Sequence, residues 1–309
     1  MTQRKPISVI ICAHNPRTAY LQRVLDALRA QTLAVAQWEL LLIDNASADR
    51  IEGSYDLAWH PGGRHIREEE LGLTRARLRG IKDSTGELII FADDDNVLAP
   101  DYVEQAGRLA HAHPHIGAFG GSVAAEFEAP PPDWVKPYVQ GLAVSEIDRD
   151  YWSNLMVFSL ATPYGAGICV RRAVAEDYAS KAKSSPARKS LGRIGTGLGA
   201  GEDTDMAWCA IDLGMGTARF KALKVKHLIP NSRLTESYIV KLNAGFSSAI
   251  EVLAFIRFGE KKAPADGLKE PLRFLWSCAR TSGIQRRILI ASWRATQETR
   301  KRIAAASLG

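Results

Sequence analysis

The segment ELIIFADDD, Glu87–Asp95, joins five apolar residues directly to three aspartates. Two similar apolar runs precede it, at Ile7–Ala13 and at Trp38–Asp44. Continuous apolar runs of this length are typical of parallel strands that are covered on both faces. Segments with helical apolar spacing lie between them, so that strand and helix alternate about every 20 to 25 residues. The sequence therefore predicts an α/β fold that is built on an open parallel sheet.

Asn15, Asp44 and Asp93 each stand at the carboxyl end of one of these predicted strands. In an open parallel sheet the carboxyl ends lie along one edge, and such sheets bind their ligands there. Three separate segments therefore place polar groups at the same edge of the sheet. We expect the principal binding site of the protein at that edge.

Asp93 and Asp95 are spaced so that both carboxylates can bind one divalent cation on the turn that leaves the strand. Adjacent carboxylates repel one another unless a cation lies among them. Mg²⁺ and Mn²⁺ prefer such oxygen ligands, and they also bind the oxygens of a diphosphate. The structural alternative is a solvated acidic turn, because aspartate is common in turns.

A second acidic motif, Gly201-Glu202-Asp203-Thr204-Asp205, opens a predicted helix. A carboxylate at this point could act as a base and remove a proton from a hydroxyl group. The alternative is that these residues only stabilise the helix N-terminus.

Asp44 and His227 also have both a functional and a structural interpretation. Asp44 can accept a hydrogen bond from a nucleobase N–H, or it can form an Asx turn with the residues that follow it. His227 lies near a predicted strand, where a single histidine is more often structural than a ligand. As a neutral imidazole it could nevertheless complete a metal site that already contains an aspartate.

Several classes of protein are excluded by composition and by missing motifs. The 309 residues are 46% apolar and 24% charged, which is typical of a globular protein and not of a disordered one. The glycines between Gly195 and Gly201 come too late in the chain for a dinucleotide-binding loop, and no Gly-x-Ser-x-Gly motif is present. The longest apolar candidate for a membrane span, Tyr238–Phe258, is interrupted by polar and charged residues. The four cysteines are widely separated, which predicts neither a zinc site nor a disulfide framework: Cys12, Cys169, Cys209 and Cys278.

Positive charge is concentrated in the C-terminal segment. Residues 253–309 contain 12 Lys+Arg and 4 Asp+Glu, a net charge of +8, whereas the whole chain carries +6, so residues 1–252 carry −2. A basic tail on a slightly acidic body argues against nucleic acid as a partner.

Taken together, five motifs in order resemble the family 2 glycosyltransferases. They are Ile7–Ala13 with Asn15, Asp44–Ser47 (DNAS), Gly72–Arg77 (GLTRAR), Phe91–Asp95 (FADDD) and Gly201–Asp203 (GED). The resemblance is strong from residue 5 to residue 130, continues to about residue 235, and fades in the tail. It implies the GT-A fold, in which a Rossmann-like, mostly parallel central sheet is flanked by helices, with a smaller acceptor-side subregion. A helical C-terminal extension follows in this chain.

The resemblance also implies roles for individual residues. Asp203 would be the catalytic base, with Glu202 as the fallback. Asp93, Asp95 and His227 would hold Mg²⁺ or Mn²⁺. The nucleotide-sugar donor would bind to Ala13, Asn15, Asp44, Arg75, Arg77, Asp93 and Asp94. The family often has Thr-x-Asn-Arg after its first strand, whereas this chain has AHNPR at residues 13–17, and this departure leaves the choice of base open. Uridine and guanosine donors both stay possible, with uridine favoured.

The implied reaction is an inverting transfer in a single displacement. Asp203 deprotonates a hydroxyl group of a glycan or lipid-linked acceptor, while the cation stabilises the diphosphate leaving group. Two other functions stay open, namely a non-catalytic nucleotide-sugar-binding relative and a nucleotidyltransferase. The scattered cysteines suit a cytoplasmic protein, and the sequence does not determine whether the chain forms an oligomer.

Three regions are predicted along the chain. Residues 1–125 form the half that binds the nucleotide sugar, residues 126–235 form the half that holds the acceptor and the base, and residues 236–309 form a basic helical extension. Within the second half we expect a strand over Thr162–Val170 and a mobile loop over Ser180–Gly201. The glycine-rich part of this loop, Ser184–Gly201, could close over the donor. The tail, residues 271–309, interleaves large apolar residues with arginines. It is expected either to make a peripheral contact with the inner face of a membrane or to pack against protein.

Overall fold

The computed structural model describes residues 6–195, 197–261 and 269–306. These residues form one nine-stranded sheet, whose strands in chain order are β1 (Ile7–Ala13), β2 (Trp38–Asn45), β3 (Gly63–Glu68), β4 (Leu88–Asp93), β5 (Asn96–Leu98), β6 (Ile116–Phe127), β7 (Tyr151–Ser153), β8 (Cys169–Arg171) and β9 (Gly216–Ile229). The spatial order is β3-β2-β1-β4-β8-β6-β9-β5, and β7 pairs with the other end of β9.

The centre of the sheet consists of three parallel strands, β2, β1 and β4. Every residue of β1 and β2 is buried, as their largely apolar sequences predict. The register places Ala13 beside Asp44 and Cys12 beside Asp93. The carboxyl ends of these strands therefore meet at one edge, which positions the acidic residues that follow them.

Helices cover both faces of the sheet. The helices of the described residues are α1 (Thr18–Arg29), α2 (Leu73–Asp83), α3 (Tyr102–Ala112), α4 (Arg172–Lys183), α5 (Pro186–Lys189), α6 (Glu202–Asp212), α7 (Glu236–Phe258), α8 (Lys269–Arg280) and α9 (Gly283–Ala306). Leucines and valines of α1 and α3 pack with β1 on one face of the sheet. The helices α2, α4 and α6 pack on the opposite face.

Two local predictions in the second half of the chain are wrong. Of the predicted strand Thr162–Val170, only the last two residues lie in a strand, namely β8. The glycines before them pack closely against other parts of the protein and do not pair with a neighbouring strand. The Tyr102 hydroxyl, for example, donates to the Gly167 carbonyl at 2.6 Å. The predicted loop Ser180–Gly201 is helical over α5 and the end of α4, and Thr196 lies outside the described residues.

The described part of the C-terminal region is joined to the rest of the protein through α7. The guanidinium of Arg257 on α7 donates to Asp205 of α6 at 2.6 Å, and α9 packs along α7. By length and composition α7 could cross a membrane, with 28% of its apolar window buried in the structure. This is weak evidence for a span, because core helices of globular proteins pass the same test.

Candidate active site

The loops that follow β1 and β2 are held together at the edge of the sheet. The backbone N–H of Asn15 donates to Ser47 Oγ at 2.9 Å, and the N–H of Ala48 donates to Asn15 Oδ1 at 2.8 Å. Asn15 has a φ of 47°, in the left-handed region that asparagine tolerates better than most residues. Ala13 is buried beside Asp44. The two loops thus form a single edge around the predicted nucleotide-binding residues.

Asp44 is buried and already has three protein partners. It accepts hydrogen bonds from the backbone N–H groups of Ser47 at 3.1 Å and Ile51 at 3.4 Å, and from Arg67 Nη1 at 2.6 Å. Burial raises the pKa of Asp44, but the hydrogen bonds from Ser47 and Arg67 outweigh burial and lower the pKa below its usual value. A nucleobase N–H would therefore share this carboxylate with existing donors, and the contact stays a prediction.

Arg77 of α2 connects two of the predicted motifs. Its buried side chain lies between Glu202 and Asp93: Nη1 donates to Glu202 Oε2, and Nη2 donates to Asp93 Oδ1 at 3.3 Å. The Tyr178 hydroxyl donates to the other oxygen of Glu202 at 3.3 Å. Burial raises the pKa of Glu202 to about 7, although Arg77 opposes this shift. Glu202 is only 3% exposed and is occupied by protein partners.

Asp203 is half-buried and has different partners from Glu202. Its Oδ2 accepts from the N–H of Gly165 at 2.7 Å, and its Oδ1 accepts from the N–H of Thr204 at 2.8 Å. A Cβ at Gly165 would lie 2.9 Å from Arg77 Nη2 and 3.3 Å from Asp203 Oδ2, so this approach depends on glycine. The first turn of α6 favours negative charge, which suits both acidic residues.

Pairing of β5 with β9 brings His227 next to Asp95. Asn96 faces His227 in the antiparallel register, and His227 Nε2 lies 3.4 Å from Asp95 Oδ2. Arg233 follows β9 in a short 3-10 helix, and it contacts both groups: Nη2 lies 2.8 Å from Asp95 Oδ2, and Nη1 lies 2.9 Å from His227 Nε2. Burial alone raises the pKa of Asp95, but neighbouring positive charge, including that of the Arg233 guanidinium, outweighs burial and holds the pKa well below its usual range.

Asp95 and His227 fit a divalent cation in their chemistry. A carboxylate oxygen and an imidazole nitrogen at this separation suit Mn²⁺ or Mg²⁺. His227 Nδ1 is buried and has no hydrogen-bond partner among the described residues, so it can carry the ring proton while Nε2 faces a cation. Asp93 binds Arg77 and is not part of this close pair.

A different acidic group satisfies a distance criterion for metal binding. The ligand atoms of Asp177, Cys209 and Asp212 lie within 4.8 Å of one another. Lys181 donates to Asp177 at 2.5 Å and to Asp212 at 2.7 Å, and Arg257 donates to Asp212 at 2.5 Å. Because these cations already bind the aspartates, we interpret this group as an ion-pair network.

Asp93 and Asp94 are adjacent to the Asp95–His227 pair, but their pKa values are raised whereas that of Asp95 is lowered. Burial raises the pKa of Asp93, although Arg77 opposes the shift. Burial, together with the charges of Asp95 and Asp93, raises the pKa of Asp94 well above its usual value. Three neighbouring carboxylates therefore do not all ionise readily without additional positive charge.

The predicted site residues thus fall into separate groups. Arg77 joins Asp93 to Glu202, whereas Arg75 is partly exposed and pairs with Glu70 instead. Sequence reasoning missed Gly165 and Arg233. The closely spaced glycines of PYGAG, residues 163–167, could have indicated a close backbone approach in place of a strand. Nothing in the sequence distinguishes Arg233 from the other arginines.

Comparison with known proteins identifies the family. The model of glycosyl transferase family 2 matches residues 8–177, which is more than half of the chain. The chain belongs to this family. The matched residues include all of β1 after Ile7, Arg77 and the Asp93–Asp95 turn, whereas Asp203 and His227 lie beyond them.

Two curated relatives agree with this assignment. EpsH of Bacillus subtilis, named as a glycosyltransferase, is 32% identical over 127 residues, which cover 40% of this chain and 35% of EpsH. A glucosyl-dolichyl phosphate glucuronosyltransferase of Haloferax volcanii is 24% identical over 135 residues, which cover 42% of this chain and 39% of that protein. The matches therefore span well under half of either relative. They therefore agree with the family assignment, which rests on residues 8–177.

Solved structures support the fold of the chain. The mannosyltransferase PcManGT of Pyrobaculum calidifontis, in complex with GDP-Man and Mn²⁺, has a TM-score of 0.54 at 18% identity, and the match covers 100% of this chain and 77% of that one. TarS of S. aureus has a TM-score of 0.52 at 12% identity, with 97% of this chain and 55% of that one covered. These likenesses concern the fold alone. The chain has the GT-A fold, and the prediction of family and fold is confirmed.

Proposed function

We propose that the enzyme is an inverting glycosyltransferase. It transfers a sugar from a nucleotide-diphosphate sugar to a hydroxyl group of a glycan or lipid-linked acceptor. The observation that carries the proposal is the arrangement of Asp203 near Arg77 and Asp93, with Asp95 following the same strand as Asp93 and lying beside His227 of β9. The complex of PcManGT with GDP-Man and Mn²⁺ supports this donor class. Uridine is the favoured base and guanosine the alternative.

Asp203 acts as the base in this proposal. It is half-buried, and among the described residues its oxygens accept from the backbone N–H groups of Gly165 and Thr204, so a lone pair stays available for the acceptor hydroxyl. Glu202 is buried against Arg77 and positions the start of α6. The deprotonated hydroxyl attacks the anomeric carbon opposite the departing diphosphate, and one displacement inverts the configuration.

Asp95 and His227 would hold Mg²⁺ or Mn²⁺, with Asp93 as a further ligand. The bound cation supplies stabilisation of the negative charge that develops on the diphosphate. The chain's own arginines assist, because Arg77 orients Asp93 while Arg193 lies close enough to lower the pKa of Asp95.

For the acceptor we propose a lipid-linked molecule at the cytoplasmic face of a membrane, which the enzyme approaches through residues 271–309. Support comes from α8, on which Leu272, Leu275 and Trp276 are 56%, 59% and 63% exposed. Exposed apolar groups beside arginines are typical of helices that lie in a membrane interface. The second helix of the tail, α9, is not exposed in the same way, because it packs along α7.

Release of nucleoside diphosphate tests the donor and the cation together. The full chain is incubated with UDP-sugars and GDP-sugars in Mn²⁺ or Mg²⁺, with and without EDTA. We expect release that EDTA abolishes and that Asp95→Asn removes almost completely, because the amide keeps the shape and loses the charge. Asp177→Asn, in the ion-pair network, is the matched control and should stay active. Undiminished transfer in excess EDTA would contradict the assigned metal dependence.

A further inference from the structure

Arg233 contacts the two atoms that would bind a divalent cation. Its Nη2 lies 2.8 Å from Asp95 Oδ2, and its Nη1 lies 2.9 Å from His227 Nε2. Arginine has donors only, so His227 Nε2 must be the acceptor in this contact. One guanidinium group therefore uses a lone pair on each of the two ligand atoms.

The position of Arg233 has a clear electrostatic cause. Asp95 Oδ2 and His227 Nε2 are two acceptors 3.4 Å apart in a largely buried setting, and a buried carboxylate without a cationic partner is costly. The guanidinium satisfies both acceptors at once. It cannot keep both contacts when a divalent cation binds, because His227 Nε2 has a single lone pair and because the two positive charges repel each other beside Asp95.

The backbone around Arg233 is fixed, so the change must lie in the side chain. The N–H of Arg233 donates to the Pro230 carbonyl at 2.9 Å, and the N–H of Asn231 donates to Glu128 Oε2 at 2.9 Å. A displaced guanidinium that is mostly buried needs another anion. The diphosphate of the donor is such an anion, and arginine binds phosphate oxygens with paired donors.

We propose that Arg233 is a built-in counter-cation, which releases Asp95 and His227 to the divalent cation and then binds the diphosphate of the donor. This inference rests on the proposed function. It follows that the cation alone binds weakly, since it must displace Arg233. The cation and the nucleoside diphosphate then bind cooperatively, each strengthening the other by the same factor.

Binding of Mn²⁺ to the full chain, measured from the EPR signal of free Mn²⁺ with and without UDP or GDP, tests this inference. We expect Arg233→Met to tighten binding of Mn²⁺ alone by roughly tenfold, the scale of one charge-assisted hydrogen bond. The additional tightening by UDP or GDP should decrease. Arg233→Lys keeps the charge but makes a single-point contact, so its affinity should fall between those of wild type and Arg233→Met. Arg23→Met removes an exposed ion pair with Glu126 and serves as the control.

The outcomes separate this inference from the proposed function. If Arg233→Met melts like wild type but binds Mn²⁺ no more tightly, the inference is overturned. If Arg233→Met does not fold, Arg233→Lys decides, and an affinity for Mn²⁺ no higher than that of wild type overturns the inference. If wild type and every variant fail to bind Mn²⁺ even with UDP and GDP, the metal part of the proposed function fails as well.

Discussion

Glu202 and Asp203 are neighbours in the sequence, but their environments at the start of α6 are opposite. Glu202 is buried and accepts from Arg77 and Tyr178, whereas Asp203 is half-buried and accepts from the backbone of Gly165 and Thr204. A base must be reachable by the acceptor and must be able to take up a proton. This difference favours Asp203 as the base and gives Glu202 a positioning role.

Asp203→Asn is therefore expected to lower kcat by roughly 10²–10⁴-fold, the usual scale of general-base assistance. Donor binding should change little, because the amide keeps the hydrogen bond from Gly165. The measurement is the steady-state rate of transfer, together with the affinity for UDP or GDP. Glu202→Gln provides the comparison. If it abolishes transfer while Asp203→Asn stays near normal and both variants melt like wild type, the two roles must be exchanged.

At the residue scale, the sequence motifs indicate which acidic side chains are candidates for the site, but they do not show which residues those side chains contact. Arg77 and Glu202 are 125 positions apart, so no local pattern shows that they form a buried ion pair. The same holds for Arg233, which reaches Asp95 only because β9 pairs with β5. Which carboxylate is buried and which is accessible depends on such long-range contacts, and a single sequence does not contain them.

At the scale of elements, α7 supports the segment that leads into Asp203. Gly245 of α7 lies against the backbone of Leu198, and a Cβ at position 245 would lie 2.0 Å from the Leu198 carbonyl oxygen. Gly199 is similarly close, since its Cβ would lie 2.4 Å from the carbonyl oxygen of Gly192. These approaches indicate that the described part of the glycine-rich segment is packed against its surroundings.

We expect Gly245→Ala to lower both thermal stability and transfer. Alanine improves helix propensity by about 1 kcal/mol, but overpacking against a rigid neighbour costs about 1–3 kcal/mol. The displaced Leu198 segment leads into α6, so the rate should fall as well. Thermal melting and the transfer rate measure the two effects. Ile250→Ala, at a position of the same helix that is 62% exposed, is the control and should change neither. A fully active, equally stable Gly245→Ala would contradict this role for α7.

The elements that the sequence predicted well are those in which one local signal dominates. Continuous apolar runs gave β1 with its observed bounds and β2 within one residue. The helix α4 was not predicted, because two of its four buried residues, Ala175 and Ala182, are small and its apolar stripe is weak. The predicted strand before β8 failed because its apolar residues are buried in a loop and not in a ladder.

At the scale of the whole molecule, the basic tail separates into two parts with different surroundings. On α9, Ile284 and Ile288 pack against the apolar cluster that α7 contributes to, which agrees with the interpretation as a packed segment. On α8, Leu272, Leu275 and Trp276 stay exposed, and the guanidinium of Arg280 lies 4.5 Å from the centre of the Trp276 ring. Membrane contact, if the tail provides it, must therefore involve α8.

Flotation with liposomes tests this contact. We expect the full chain to float with phosphatidylglycerol liposomes at low salt and to stay below with neutral ones, because anionic lipid attracts each nearby Lys or Arg by about 1 kcal/mol. Replacing the three apolar side chains of α8 by serine should abolish flotation while the arginines remain. A matched control makes the same replacement by serine at three similarly exposed apolar residues of a loop elsewhere in the protein: Leu155, Val157 and Phe158. If only the control variant loses flotation, that loop is the contact, and if wild type never floats, the membrane proposal is wrong. Since both variants remove comparable apolar surface, a difference between them reports the position of the contact and not the general adhesiveness of the protein.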